Sequence, residues 1–199
     1  MNLLPAQIDA LRELINIGVG KAAAVLSEMI ECHITLQVPY IKMLTKTTLL
    51  EEIQGIGQDR FAAVKLGFHG SFTGTAALVF PPDSAIKLVT VLTNEEAGTP
   101  DLDAVMAGTL SEVGNIVING VMGSISNVLK QHINYSLPAY IEDVIVNLLH
   151  TQDLNADTAI ILAHTQFTIE QLQIEGNIIL LFETRSFDAL VAAIDKDLC

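Results

Sequence analysis

A carboxylate and a carboxamide three residues apart occur twice in this chain, as Glu13 with Asn16 and as Glu112 with Asn115. Neither side chain is a strong nucleophile, so the chemistry open to such a pair is positional. A carboxamide can accept a hydrogen bond from a water while its NH2 bonds elsewhere, and a carboxylate can pair with a cation on a partner. One isolated pair would ordinarily be a solvated helix face. Recurrence changes its weight.

Each asparagine is followed by 22 residues and then a proline, Asn16 to Pro39 and Asn115 to Pro138, in a chain with only six prolines. Laying residues 9–39 over 108–138 without a gap, at an offset of 99, gives eight identities in 31 positions: Leu11/Leu110, Glu13/Glu112, Asn16/Asn115, Ile17/Ile116, Ser27/Ser126, His33/His132, Ile34/Ile133 and Pro39/Pro138. That correspondence signals an internal duplication in which the pairs were kept while most positions diverged.

The elements that must carry the pairs are helices. Apolar residues at Leu11, Leu14, Ile15, Ala22, Val25, Leu26 and Met29 predict a core-facing helix over about 6–30, with Pro5 acceptable at its start. A second helix is expected over about 102–129, with Leu110, Val113, Val117, Val121, Ile125 and Val128 inward. Thr99 can cap it, Pro100 can open it, and Asp101 suits its positive end.

At 100° per residue, Glu13, Asn16 and Gly20 fall within about 40° of Asp9, opposite the apolar stripe. Gly20 and Ala23 put little side chain on that face. A partner's backbone could come close there, although helix packing explains small residues equally well. Ile17 and Ile116 read as partner contacts or as core. Asp9, one turn before Glu13, suits the helix start or a substrate contact.

After each long helix the same kinds of element recur. Strands are expected at Arg60–Phe68 and Phe72–Phe80, then a helix from Asp83; the second half offers strands at Ala159–Thr168 and Leu172–Thr184, then a helix from Phe187. Each half thus reads helix, strand, irregular stretch, two strands, helix. The segment Gly55-Ile56-Gly57-Gln58 punctuates the first half, and Thr93 to Thr99 is the natural join. The expectation is an α+β fold, an α/β sandwich. A single domain spanning 1–199, built of two repeats at about 1–98 and 99–199, would place two long helices side by side on one largely antiparallel sheet with pseudo-twofold symmetry.

Composition narrows the function. A formal net charge of −13, from 10 Lys plus Arg against 23 Asp plus Glu, repels nucleic acid and anionic membrane surfaces. Any phosphorylated substrate must bring its own positive charge. Apolar runs such as Asn177 to Phe182 are short for a bilayer and fit buried strands. The start of the chain lacks a basic leader and a cleavage site, so a cytoplasmic protein without membrane insertion is expected, its two cysteines, Cys32 and Cys199, being free thiols.

The run Gly18-Val19-Gly20-Lys21-Ala22 does not qualify as a phosphate-binding loop. Ile15 stands where the first glycine belongs, Ala22 where a Ser or Thr should hold Mg²⁺, and the run lies within the helical pattern. His33, His69, His132, His150 and His164 have no metal-ligand spacing. No Gly-x-Ser-x-Gly elbow is present, and neither cysteine has the context of a phosphatase nucleophile.

With Asp9, Glu13, Asn16 and Pro39 the chain resembles the CheC, CheX and FliY phosphatases of chemotaxis. Their signature is Asp or Ser, three residues, Glu, two residues, Asn, 22 residues, Pro. The second copy matches at Glu112, Asn115 and Pro138 and departs at Gly108, where the family has Asp or Ser. The run from Asn16 to Ala22, followed by Leu26-Ser27, also looks like the first helix of this family.

The resemblance implies hydrolysis of the aspartyl phosphate of a CheY-like response regulator that supplies its own Mg²⁺ and lysine, so no cofactor of this chain's own is expected. It further implies that Asn16 and Asn115 hold the attacking water while Glu13 and Glu112 dock the regulator. CheD, a receptor-modifying deamidase, is a further candidate partner, and a non-catalytic regulator-binding or CheD-binding module is the alternative. The added domains of FliY and FliM in the flagellar switch are not expected here.

Overall fold

The structure is a computed structural model that describes residues 3–54, 60–95, 98–148 and 158–197. The first long helix, α1 (Pro5–Ile30), opens on Pro5, which needs no hydrogen-bonded N–H at that position. It ends at Glu31 in the left-handed region (φ 53°). Strand β1 (Ile34–Leu44) and a helix α2 (Lys46–Gln54) follow, then the hairpin β2 (Arg60–Gly70) and β3 (Gly74–Phe80) and a helix α3 (Pro82–Thr93). The expected irregular stretch after the first strand therefore includes a nine-residue helix. Gly55 to Gln58 lie outside the described residues.

The second half begins with α4 (Pro100–Val128), whose Thr99 side chain accepts a bond from the amide of Leu102 at 3.3 Å, the expected cap. Two short strands, β4 (Ile133–Tyr135) and β5 (Ala139–Val144), stand where the first half has one, followed by α5 (Ile145–Leu148). The hairpin β6 (Ala159–Ile169) and β7 (Leu172–Phe182) leads into α6 (Thr184–Asp197), which starts three residues before the expected Phe187.

All strand pairings among the described residues are antiparallel, in the order β1-β6-β7-β3-β2-β4 with β5 also on β2. The fold is α+β, with helices packed on a largely antiparallel seven-stranded sheet. Each half lends its first strand to the hairpin of the other: β1 pairs with β6, and β4 and β5 pair with β2.

The registers correspond. Ile34 faces Ile169 and Tyr40 faces His164; moved by the sequence offset of 99, these become Ile133 facing Gly70 and Ala139 facing Lys65, both observed. At the centre β3 meets β7, with Leu78 opposite Ile178.

Alternation along β2 separates two apolar layers. Ala62, Val64, Leu66 and Phe68 join α1, α3, α4 and α6 in the main core, while Phe61 and Ala63 join Leu49 of α2 and Ile145 and Leu148 of α5 on the other side. In the main core α1 and α4 pack together at glycines. A Cβ on Gly18 would lie 2.5 Å from the Cα of Val121, and one on Gly120 would lie 2.7 Å from the carbonyl oxygen of Gly18. The Gly18 to Ala22 run is thus a stretch of helix interior, with Gly18 reserved for close approach of two backbones.

The inward faces differ from the expected ones at particular positions. Val25 and Met29, expected inside, are exposed, and Ala23, expected on the polar face, is buried together with Val19. The buried stripe drifts around α1, from Leu11 and Leu14 toward Val19, Ala23 and Leu26, so Val25 and Met29 near the helix end fall outside it. On α4, residues 104–128 are long and apolar enough to cross a membrane by length and composition, contrary to the expectation from the shorter runs. Here Val117, Ile118, Val121 and Ile125 of that helix are fully buried in the core.

The repeated serines and isoleucines join helix to strand. The Ser27 hydroxyl donates to Ala23 O at 2.7 Å and accepts the amide of Ile34 at 2.9 Å, while the Ser126 hydroxyl donates to Gln131 O. Ile34 and Ile133 are both buried at the start of their strands.

Candidate functional site

Glu13 lies exposed on α1, and Asn16, one turn further, is half-buried. The reason for Asn16's position lies in β1. Between the pairs Gln37↔Gln166 and Tyr40↔His164 the register shifts, so Val38 and Pro39 together oppose Thr165. This is a β-bulge, and proline, which has no N–H to give a ladder, suits it. Val38 there has both main-chain groups outside the ladder and is 2% exposed. Asn16 satisfies both: its Oδ1 accepts the Val38 amide at 3.0 Å, and its Nδ2 donates to the Val38 carbonyl at 3.3 Å.

The spacing of 22 residues between Asn16 and Pro39 is thereby explained. The asparagine grips the residue before the proline. A carboxamide has two lone pairs and two N–H groups, so one of each remains for a further ligand. Glu13 and Asn16 share the same helix face, and the strand clamp fixes the second of them.

The second half has the same bulge with a different occupant. The Ser136 amide donates to Gly67 O at 2.9 Å and Ala139 stands opposite Lys65, leaving Leu137 and Pro138 against Leu66. Leu137 points out, 89% exposed, where its counterpart Val38 is buried. Asn115, half-buried on α4, instead accepts a bond on its Oδ1 from Asn119 Nδ2 at 2.8 Å. The asparagine-to-proline spacing recurs, but the clamp does not.

Glu112 is exposed beside Asn115. It lines a mostly apolar groove of about 350 Å³ with Leu26, Met29 and Ile30 of α1, Leu92 of α3 and Val113 of α4. Gly108, which departs from the signature, lies on the same groove with open space where a side chain would project. Asp9, its counterpart, is exposed and pairs with Arg12 at 3.1 Å on its own helix. Ile17 is 37% exposed, whereas Ile116 is half-buried against the core. Of the residues singled out by sequence, the structure joins Asn16 to the Pro39 bulge by hydrogen bonds and bonds Asn115 to Asn119 instead of to the Pro138 bulge.

Three ionisable groups near the second bulge are perturbed, and burial raises the pKa of one of them, Tyr135. Burial lowers the pKa of Lys65, whose ammonium donates to Leu148 O at 2.8 Å. Burial, and then the hydrogen bond and charge of Glu142, raise that of Tyr140 well above the usual tyrosine range. Among the described residues no cluster of His, Cys, Asp and Glu could hold a metal ion, and Cys32 is a free thiol. His150 and Cys199 lie outside the described residues.

Val38 and Asn119 were not identified from sequence. Val38 contributes only its main chain, so no residue type marks it; the constant distance to the next proline was its one signal. Asn119 could have been found as a carboxamide one turn after Asn115.

The description of the family of the chemotaxis phosphatase CheX matches residues 62–170, more than half of the chain, and that of the CheC-like family matches 7–43. The chain belongs to the CheC, CheX and FliY family. The CheC-like match carries Asp9, Glu13, Asn16 and Pro39, and the CheX match carries Glu112, Asn115 and Pro138. A curated member, the CheY-P phosphatase CheC of Bacillus subtilis strain 168, is 27% identical over 139 residues. That match covers 66% of this chain and 64% of the relative.

Two solved structures of the family share the fold. Thermotoga maritima FliY superposes with a TM-score of 0.76 at 18% identity, over 99% of this chain and all of that one. The CheX of a CheX–CheY–BeF3–Mg²⁺ complex from Borrelia burgdorferi does so at 0.53 and 19% identity, over 86% of this chain and 99% of that one.

Proposed function

We propose that this protein hydrolyses the aspartyl phosphate of a CheY-like response regulator in chemotaxis signalling. Glu13 and Glu112 dock the regulator by pairing with its lysine, and Asn16 and Asn115 hold the attacking water in line with phosphorus. Water forms the new P–O bond, the bond to the aspartate oxygen breaks, and the products are the regulator's free carboxylate and inorganic phosphate. With a carboxylate as leaving group, positioning and charge stabilisation carry the reaction, and a neutral amide suffices.

The observation that carries this reading is the clamped carboxamide of Asn16 one turn from an exposed Glu13, with one acceptor and one donor site left over. The same residue pair recurs on α4. The name of the Bacillus subtilis relative and the CheX–CheY complex support a phosphorylated CheY-like protein as substrate. Any Mg²⁺ belongs to the regulator, and this chain contributes no cofactor. We place the protein in the cytoplasm, with no nucleic-acid partner and no membrane insertion, and treat 1–199 as one domain of two repeats, about 1–98 and 99–199.

One observation favours a second reading. The Asn16–Val38 clamp would hold β1 in place whether or not the site turns over, as in a module that binds the regulator or CheD without catalysis. Comparing binding with turnover separates the two. Asn16→Ala with Asn115→Ala is expected to abolish phosphate release while keeping regulator binding, whereas Glu13→Ala with Glu112→Ala weakens both. A wild-type protein that binds the phosphorylated regulator without speeding phosphate loss is a binding module.

A further inference from the structure

The two asparagines are held by different means. In the first half the main chain of Val38 orients the Asn16 carboxamide from both ends. In the second half Leu137 is turned out to 89% exposure, and the carboxamide of Asn115 is met by the side chain of Asn119, one helical turn on, at 2.8 Å. The first-half position equivalent to Asn119 is Gly20, with open space around it, so the first half has no side chain there to meet Asn16.

Asn119 also has a cost that packing does not explain. With its NH2 on Asn115, its own Oδ1 is buried without a hydrogen-bond partner. A buried orphan oxygen destabilises a fold, and an apolar residue of similar size would avoid it. The one bond gained points Asn115 a particular way. Donation onto Oδ1 leaves a second lone pair of Asn115 for a water and both of its N–H groups for other partners.

We infer that Asn119 is a positioning residue of the second site, orienting the Asn115 carboxamide in the role that the Val38 main chain plays for Asn16. This rests on the phosphatase reading above. It makes the two sites unequal in construction: one is set by a strand, the other by a single side chain.

The test measures steady-state phosphate release from a phosphorylated CheY-like regulator with each site isolated, using Asn16→Ala to leave the second site and Asn115→Ala to leave the first. Adding Asn119→Ala to Asn16→Ala is expected to lower kcat by about tenfold or more with KM within about twofold, the mark of an interaction made in the transition state. Asn119→Asp, which keeps the shape but offers an acceptor in place of the donor, should lower kcat in the same way. Added to Asn115→Ala, neither change should cost anything further.

Thermal stability of the Asn119→Ala protein should be unchanged or higher, because the orphan oxygen is gone. Equal losses in both backgrounds, a rise in KM with kcat intact, or undiminished kcat beside Asn16→Ala would overturn the assignment. Phosphate release that survives Asn16→Ala combined with Asn115→Ala would instead remove the phosphatase reading itself, and the assignment with it.

Discussion

Asn16 closes on both main-chain groups of Val38, 22 residues away, and so ties α1 to the bulge of β1. The same side chain is the proposed holder of the attacking water. Structure and chemistry therefore compete for one carboxamide, and its hydrogen-bonding capacity is large enough for both.

This double duty predicts unequal costs for the two asparagines. Asn16→Ala leaves the buried Val38 amide and carbonyl unpaired and should cost about 1–3 kcal/mol. Asn115→Ala removes a bond between two side chains and should cost at most about 1 kcal/mol. Thermal or denaturant unfolding of the two single variants checks this, with Asn16→Ala expected to melt several degrees below Asn115→Ala. Equal melting points would mean that the clamp contributes nothing.

The helix crossing predicts opposite effects at neighbouring glycines. Gly18→Ala would place a Cβ 2.5 Å from the Val121 backbone, and the two helices would have to separate. A loss of about 1–3 kcal/mol is expected, as for other overpacked sites. Gly20→Ala meets nothing within 4 Å and should stabilise the helix by about 0.5–1 kcal/mol. Chemical denaturation of both variants reads the difference in sign.

Asp9 separates helix support from substrate contact. Its ion pair with Arg12 is exposed on both sides, so Asp9→Ala should change stability by less than about 0.5 kcal/mol. If Asp9 also touches the regulator, the same variant raises KM for the phosphorylated substrate. An unchanged KM assigns it to the helix alone.

Alkaline pH tests the half-buried edge strand β5. Tyr140 has a folded pKa raised above the ordinary 10.0, so the fold keeps a proton that the unfolded chain releases. Its contribution is fully present below that value and is lost as pH rises toward the folded one. Lys65 acts the other way, since its lowered pKa makes the fold more stable as pH rises toward the ordinary 10.5. Unfolding followed from pH about 9 upward should show wild type losing more stability above about pH 10 than Tyr140→Phe does. The same alkaline slope in both proteins would contradict the assignment.

The long helices and hairpins were legible because their periodicities are local. Leu11, Leu14 and Ile15, or the alternation from Phe61 to Phe68, reveal a buried face within a few residues. Val25 and Met29 lie off the core for a reason a fixed helical wheel does not contain: the buried stripe drifts around α1 toward Val19, Ala23 and Leu26. The exchange of first strands was equally hidden, since Ile34 finds its partner at Ile169 and nothing near Ile34 specifies it. At the site the residue types could be read and their partners could not. Asn16 answers to a main-chain group, while Asn115 answers to an asparagine that the first half lacks.

The most direct measurement of the central claim is phosphate release from a phosphorylated CheY-like regulator of the same organism in the presence of wild type or of the Asn16→Ala/Asn115→Ala protein. The expected result is acceleration by wild type that disappears in the double variant while regulator binding persists. Acceleration that survives the loss of both carboxamides, or none by wild type, would contradict it.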